Sequence, residues 1–279
     1  MIEVVGGGAL GSMIAARLRR AGAGVVLVVR SGNEEQRRRR VRVRSRDEED
    51  FEVDLPVAAR SGGTGRRAIV CTKAFDAAEA IAACVDKRPL VLSNGILALR
   101  DTTAPFMAAA ATTTHGCYVE DGTIVHAGFG TLWLPRNTLA PELLAAGLRP
   151  VEIDHREMTE RLWLKLAANA TLNPLTALLG CRNGDVLPRA EAEVRMVCDE
   201  LATLANTYGV SLSADTLFAA VEDCVRDNAA NFSSMYQDVK HGRRTEIDAL
   251  NGWVVDASRR RGLETPVACA DLLQAIKNL

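Results

Sequence analysis

The stretch "EVVGGGALGS", residues 3–12, places three consecutive glycines directly after a short apolar run and directly before a helix-forming segment. Residues 2–5 read as a buried strand and residues 9–21 as a helix. Residues 24–29, GVVLVV, are β-branched and apolar and read as a second buried strand. Strand, glycine turn, helix, strand is a βαβ unit, which implies a parallel sheet. Gly6, Gly8 and Gly11 fit the spacing G-x-G-x-x-G. The first glycine permits a tight turn out of the strand, the second lets a pyrophosphate approach the backbone, and the third lets helix pack on strand. The free N–H groups of Gly7, Gly8, Ala9, Leu10 and Gly11, at the positive end of the helix dipole, then face the anion.

The end of the second strand bears on which dinucleotide is bound. An NAD site usually sets Asp or Glu about 20 residues past the glycines, on the ribose hydroxyls. Here the strand ends in Arg30 and Ser31. A guanidinium is a planar fork that matches a phosphate. The expectation is therefore NADP(H), with Arg30 on the 2′-phosphate and Ser31 as an extra donor.

Working outward, further strands are expected at 68–71 and 89–92, a helix at 75–85, and extended segments over 112–134. From about residue 157 the pattern turns helical, over 157–172, 189–208, 214–229, 245–261 and 266–278. An α/β half followed by an all-helical half predicts two domains, 1–155 and 156–279. Between the second and third expected strands lies EEQRRRRVRVRSRDEED, residues 34–50. It reads either as a solvated loop or edge whose opposite charges neutralise each other, or as a patch gripping a cofactor phosphate or a polyanion.

Composition narrows the function classes. Of 279 residues, 48% are hydrophobic and 25% charged, as in a soluble globular protein, and the formal net charge is −1. There is no global basic field to advertise nucleic-acid binding. No apolar stretch approaches the roughly 20 residues of a membrane span. The N-terminus carries no basic segment followed by a long apolar one, so no signal peptide is expected. Seven cysteines are scattered without a CxxC pair, which reads as reduced thiols of a cytoplasmic protein rather than disulfides or a metal site.

The helical half contains RLWLKLAANATLNPLT, residues 161–176. Lys165, Asn169 and Asn173 recur every fourth residue and stack along one helical face. Flanked by Leu and Ala, that face either meets something polar or is a surface lysine beside two packing asparagines. In the first case the ammonium polarises a carbonyl and delivers a proton to its oxygen. Pro174 removes the donor that would bond the carbonyl of Ala170, so a kink is expected there.

Several stretches then occur in order along the chain: GGGALG at 6–11, Arg30 at a strand end, CTKAFD at 71–76, SNGI at 93–96, HAGFG at 126–130, WLKLAANATLNPLTAL at 163–178, RNGDVL at 182–187 and NFSSMYQDVKHGRRTEID at 231–248. With these, the sequence resembles the ketopantoate reductase (2-dehydropantoate 2-reductase) family. The resemblance implies an N-terminal Rossmann-type domain with a parallel sheet and an all-helical C-terminal domain, with the active site in the cleft between them and a hinge near 150–157. It implies that NADPH gives a hydride to the C2 ketone of a 2-oxo acid, in the family ketopantoate to pantoate, in pantothenate biosynthesis. Carried over by motif, Lys165 is the general acid, and Glu246 orients it or binds the substrate hydroxyl. Asn169, Asn173, Asn183, Asn231 and Ser234 hold the substrate, and Lys73 and Asn94 contact the cofactor.

The sequence departs from the family's usual pattern in the short arginine-rich region after the second strand, where Arg37 or Arg38 could add to the phosphate site. His126 in HAGFG reads as a turn-stabilising residue rather than a catalytic one. Two other functions compete: a related NADP-dependent reductase of another 2-oxo or 3-hydroxy acid, and a nonenzymatic NADP(H)-binding or nucleic-acid-binding protein. The expected partner is a small 2-oxo acid, without membrane or nucleic acid, and helical C-terminal halves often supply the surface of a homodimer.

Overall fold

The computed structural model describes residues 1–30, 38–45, 48–59, 67–86, 88–102, 109–136 and 139–279. Ser31, Arg37 and the remainder of 31–37 lie outside the described residues, as do Arg46 and Asp47. The chain divides into two compact units, Met1–Met158 and Thr159–Leu279.

The first unit is built from β1 (Ile2–Val5), α1 (Ala9–Arg20), β2 (Val25–Val28), β3 (Arg38–Ser45), β4 (Phe51–Ala58), β5 (Arg67–Val70), α2 (Ala74–Ala83), β6 (Leu90–Val91), α3 (Ile96–Thr102), β7 (Ala109–Ala110), β8 (Thr112–Thr113), β9 (Gly116–Glu120), β10 (Thr123–Gly128), β11 (Leu132–Pro135), α4 (Ala140–Ala145) and β12 (Pro150–Ile153). The larger sheet has the order β7-β6-β5-β1-β2-β4-β3-β10-β9. From β7 to β4 neighbouring strands are parallel. The sheet then turns antiparallel between β4 and β3, parallel between β3 and β10, and antiparallel between β10 and β9. A smaller sheet joins β12, β11 and β8. The central strands are buried, as parallel sheets covered by helices require: Val4, Leu27 and Ile69 share a core with Met13, Ile14 and Leu18 of α1, and Glu3 of β1 is buried too.

The charged run at 34–50 is not a loop where it is described. Residues 38–45 form β3, inside the sheet between β4 and β10. Past its opening Arg38-Arg39, arginine and valine alternate: Val41 and Val43 point into the core while Arg40, Arg42 and Arg44 stay exposed. Across the pleat these three meet carboxylates: Arg40 and Asp54 at 3.5 Å, Arg42 and Glu52 at 3.1 Å, Arg44 and Glu120 at 2.9 Å. The opposite charges do offset each other, but as cross-strand pairs of a half-buried strand.

His126 is also not a turn residue. It lies in β10 and is fully buried, in a hydrogen-bonded chain with Arg17 of α1 and His115. Arg17 Nη2 sits 3.1 Å from Glu48 Oε2 and 3.1 Å from His126 Nδ1; His126 Nε2 is 3.0 Å from His115 Nδ1, and His115 Nε2 is 3.0 Å from the Leu148 carbonyl. A guanidinium only donates, so the Nδ1 of His126 must accept and its Nε2 carry the proton. That proton is given to His115 Nδ1, and the Nε2–H of His115 goes to Leu148. Both rings are thereby neutral and of defined tautomer.

The second unit holds the bulk of α5 (His155–Leu179), then α6 (Leu187–Thr207), α7 (Ala214–Asp227), α8 (Ser234–Lys240), α9 (Asn251–Arg260) and α10 (Val267–Lys277). Trp163, Tyr208 and Trp253 pack with ring centroids 5.7–6.0 Å apart and anchor its core. Helix α5 continues through Pro174, seven residues short of which stands Ala167 and five beyond which it ends at Leu179. The carbonyl of Ala170, orphaned by the proline, is satisfied from elsewhere: Asn251 Nδ2, fully buried at the start of α9, donates to it at 3.0 Å. Two further expectations shift. The helix expected over 245–261 begins at Asn251, after a tight turn at Ile247–Ala249, and α8 was too short to show as a period.

Candidate active site

The glycine turn separates crowded from open positions. Gly6 has φ 116°, and a Cβ there would come within 2.8 Å of the Cys71 backbone at the end of β5. A Cβ on Gly11 would meet the Gly6 carbonyl oxygen at 2.0 Å, which is impossible without parting helix from strand. A Cβ on Gly8 would meet nothing within 4 Å. Gly6 and Gly11 are thus required by packing, whereas Gly8 is exposed and keeps open space beside the first turn of α1. The first turn of α1 carries no acidic residue, and the first N–H groups of any helix lack intrahelical partners. An anion fits there.

The parallel strands end around this turn, where open α/β sheets bind ligands. Arg30, just past β2, is two-thirds exposed, and its guanidinium is ion-paired with Asp76 and lies 3.6 Å from Glu79, both on α2. Lys73 is the half-buried N-cap of α2, and Asn94 is half-buried in the turn after β6. Two hydroxyls that the sequence reading did not single out, Thr72 Oγ1 after β5 and Ser93 Oγ after β6, are buried without a hydrogen-bond partner among the described residues. Unmet polar atoms at strand ends are what a bound polar ligand would satisfy.

In the second unit Lys165, Asn169 and Asn173 follow one another along α5, the first two half-buried and Asn173 buried. Burial pushes the Lys165 ammonium below its ordinary pKa of 10.5; Cys224 on α7 and the carboxylate of Glu246 oppose that shift. The Cys224 thiol is itself pushed up by burial and so is neutral at neutral pH, and Glu246 is only 4% exposed. A desolvated lysine held beside a buried carboxylate is poised to give up a proton more readily than a surface lysine.

Asn183 and Asn231 are brought together. Asn183 N–H donates to the Asn231 carbonyl at 2.9 Å, Asn183 Nδ2 to the Asn228 carbonyl at 3.3 Å, and Asn231 Nδ2 to Asn228 Oδ1 at 3.2 Å. Asn183 Oδ1 is buried and without a partner among the described residues. Ser234 is exposed at the start of α8. Its neighbour Ser233 is the buried one: it caps α8 by accepting the Tyr236 N–H at 3.0 Å and lies 2.6 Å from Thr176 Oγ1. Among the described residues no cluster of His, Cys, Asp and Glu is placed to hold a metal, and no helix is long and apolar enough to cross a membrane.

The model of the family "Ketopantoate reductase PanE/ApbA" matches residues 2–138, and that of its C-terminal part matches residues 157–278. A 2-dehydropantoate 2-reductase of Pyrobaculum aerophilum is 32% identical over 100% of this chain and 99% of its own length. The chain belongs to the ketopantoate reductase family. It is accordingly an oxidoreductase. The 2-dehydropantoate 2-reductase of Vibrio cholerae is 36% identical over 202 residues, 68% of each chain. Among solved structures, a PanE/ApbA family ketopantoate reductase from Ralstonia eutropha JMP134 superposes with a TM-score of 0.84 at 26% identity, covering 99% of this chain and 97% of its own. A D-mandelate dehydrogenase in a ternary structure with NADH and anilino(oxo)acetate shares the fold, with a TM-score of 0.87 at 23% identity over 100% of this chain and 97% of that one.

Sequence reading of this ketopantoate reductase family member missed Arg39, Ser233 and Asn251 as well as the two hydroxyls. Arg39 was hidden in the arginine run, although the alternation with Val41 and Val43 marks which arginines share a face. Ser233 stands three residues before Tyr236, the ordinary spacing of a helix N-cap. Asn251 acts on a carbonyl 81 residues away, and no local signal announces that.

Proposed function

We propose that this protein reduces 2-dehydropantoate to pantoate with NADPH, in pantothenate biosynthesis in the cytoplasm. The desolvated Lys165 beside Glu246 carries the reading, because it is the group in the helical unit best prepared to donate a proton. When bound, NADPH supplies the hydride for the C2 ketone.

The chain's own groups do the rest. The amides of Gly7, Gly8, Ala9, Leu10 and Gly11 bind the pyrophosphate, with Gly6 setting the turn, and the space at Gly8 is where it approaches. Arg30 holds the 2′-phosphate, and Lys73 and Asn94 contact the cofactor at the strand ends. Asn169, Asn173, Asn183, Asn231 and Ser234 hold the carboxylate, ketone and hydroxyl of the substrate; the unmet Asn183 Oδ1 supports an acceptor role there. The Lys165 ammonium stabilises the negative charge growing on the ketone oxygen and then passes its proton to that oxygen, leaving a hydroxyl and a neutral amine. Glu246 keeps the lysine protonated and oriented. The working assembly is a homodimer, a state also named for a ketopantoate reductase from Staphylococcus aureus of the same fold.

The test is NADPH-dependent reduction of a panel of 2-oxo acids. Ketopantoate is expected to give the highest kcat/KM; a clear preference for another 2-oxo acid, such as an aromatic one, would assign a different substrate to the same chemistry.

A further inference from the structure

Among the described residues of the arginine run, Arg39 differs from Arg40, Arg42 and Arg44. Arg40, Arg42 and Arg44 stand on the outer face of β3, each against a carboxylate. Arg39 has the opposite parity. It shares the inner face with Val41 and Val43, which lie in the core beneath α1, and it is half-buried at the strand's beginning. Among the described residues no carboxylate pairs with it. Its Nη1 donates instead to the carbonyl of Gly7, at 3.1 Å, inside the glycine turn.

Its position is specific. A Cβ built on Gly7 would lie 2.6 Å from Val29 Cγ1 and 3.3 Å from Arg39 Nη1, so the glycine turn, the end of β2 and the Arg39 guanidinium converge on one spot. The end of β2 is where the adenosine ribose, and hence any 2′-substituent, lies in a fold of this kind. A cation left beside the positive end of α1 is unfavourable by itself, so its presence there points to an anionic ligand.

Charge balance gives the second reason. Arg30 faces two carboxylates, Asp76 and Glu79, so that the trio sums to −1. A 2′-phosphate brings a further charge of about −1.5 to −2. One guanidinium already shared between two carboxylates does not neutralise it, and a second, unshared one is needed. Resting on the NADP(H) reading above, we infer that Arg39 is a second specificity-determining residue of the cofactor site, receiving the 2′-phosphate between the glycine turn and the end of β2. The Gly7 carbonyl parks the guanidinium until that phosphate takes its place.

The experiment is equilibrium binding of NADP+, NAD+, 2′,5′-ADP and 5′-AMP to the full chain, by calorimetry, for wild type, Arg39→Met and Arg39→Lys. Methionine keeps an apolar stem of similar length at this half-buried position, and a thermal melt checks that each variant is folded. Arg39→Met is expected to weaken NADP+ and 2′,5′-ADP by about tenfold or more, the scale of a lost charged hydrogen bond, and to change NAD+ and 5′-AMP little. Arg39→Lys should recover part of the loss. Unchanged NADP+ affinity, or equal loss for all four ligands in a folded variant, overturns the inference while leaving NADP(H) binding in place. Wild-type protein that binds NAD+ as well as NADP+ overturns the NADP(H) reading itself, and this inference with it.

Discussion

Each unit draws a cation out of water, Arg17 fully and Lys165 in part, and they treat it in opposite ways. In the first, Arg17 is 4% exposed and is held by a one-way chain of acceptors, through His126 and His115 to the Leu148 carbonyl, with Glu48 at its outer end and the Phe129 ring 4.7 Å from its guanidinium. The protons that pass from Arg17 Nη2 through His126 and His115 each have an acceptor, while the Arg17 Nε–H is buried without a partner among the described residues. In the second, Lys165 is half-buried on α5, its pKa is lowered by burial, and the buried Glu246 only partly restores it. A guanidinium cannot release its proton at physiological pH, whereas a desolvated ammonium can. The first arrangement holds α1 against β10; the second leaves a lysine whose proton is held less tightly than that of a surface lysine.

Acid offers the most severe way to break this contrast. Burial, with Arg17 adding to it, lowers the His126 pKa to about 3 from 6.5, and His115 is lowered as well. Above pH 6.5 neither folded nor unfolded chain binds a proton at His126, and the chain's full contribution is present. As pH falls below 6.5 the unfolded chain takes up a proton that the folded one refuses, so stability is lost progressively until about pH 3. The Arg17, Arg149 and Glu48 charges and the His115 ring face this site, and none removes the sign. Urea unfolding at a series of pH values should show a loss of up to about 1.4 kcal/mol per pH unit across that window, and His126→Gln should flatten it.

Next in size is Arg17→Met, expected to cost about 3 kcal/mol, the low end for breaking a buried charged pair because Glu48 is part-exposed. Its melting temperature should drop while kcat at a permissive temperature stays close to wild type; a large kcat loss would erase the distinction between the two cations. Asn251→Ala leaves the Ala170 carbonyl without its donor and should destabilise by about 1–3 kcal/mol in the same unfolding measurement. The smallest effect concerns Glu246→Gln. Removing the carboxylate that raises the Lys165 pKa moves the alkaline limb of the kcat profile to lower pH; a limb that stays put would remove Glu246 from the lysine's surroundings.

The parts of this molecule readable from its sequence are those encoded locally. Gly6 and Gly11 announce the turn because no other residue fits the backbone they occupy. The fourfold spacing of Lys165, Asn169 and Asn173 announces a helix face, and α5 is there. The strands β3 and β4 escaped because alternating charge looks like solvated loop until a partner strand supplies the opposite charges. His126 meets Arg17, 109 residues away in sequence, and the Ala170 carbonyl beneath Pro174 meets Asn251, 81 residues away. Long-range satisfaction of buried polar groups leaves no periodic trace, so the chain that fixes α1 and the prop beneath α5 become visible only once the fold has formed.

The central claim is that Lys165 donates the proton. It is tested most directly by Lys165→Ala, with NADPH binding and ketopantoate turnover measured on the same preparation. NADPH affinity is expected to stay within about twofold of wild type while kcat falls by about 10²-fold or more, the usual scale for a lost general acid. Turnover that survives the substitution would contradict it.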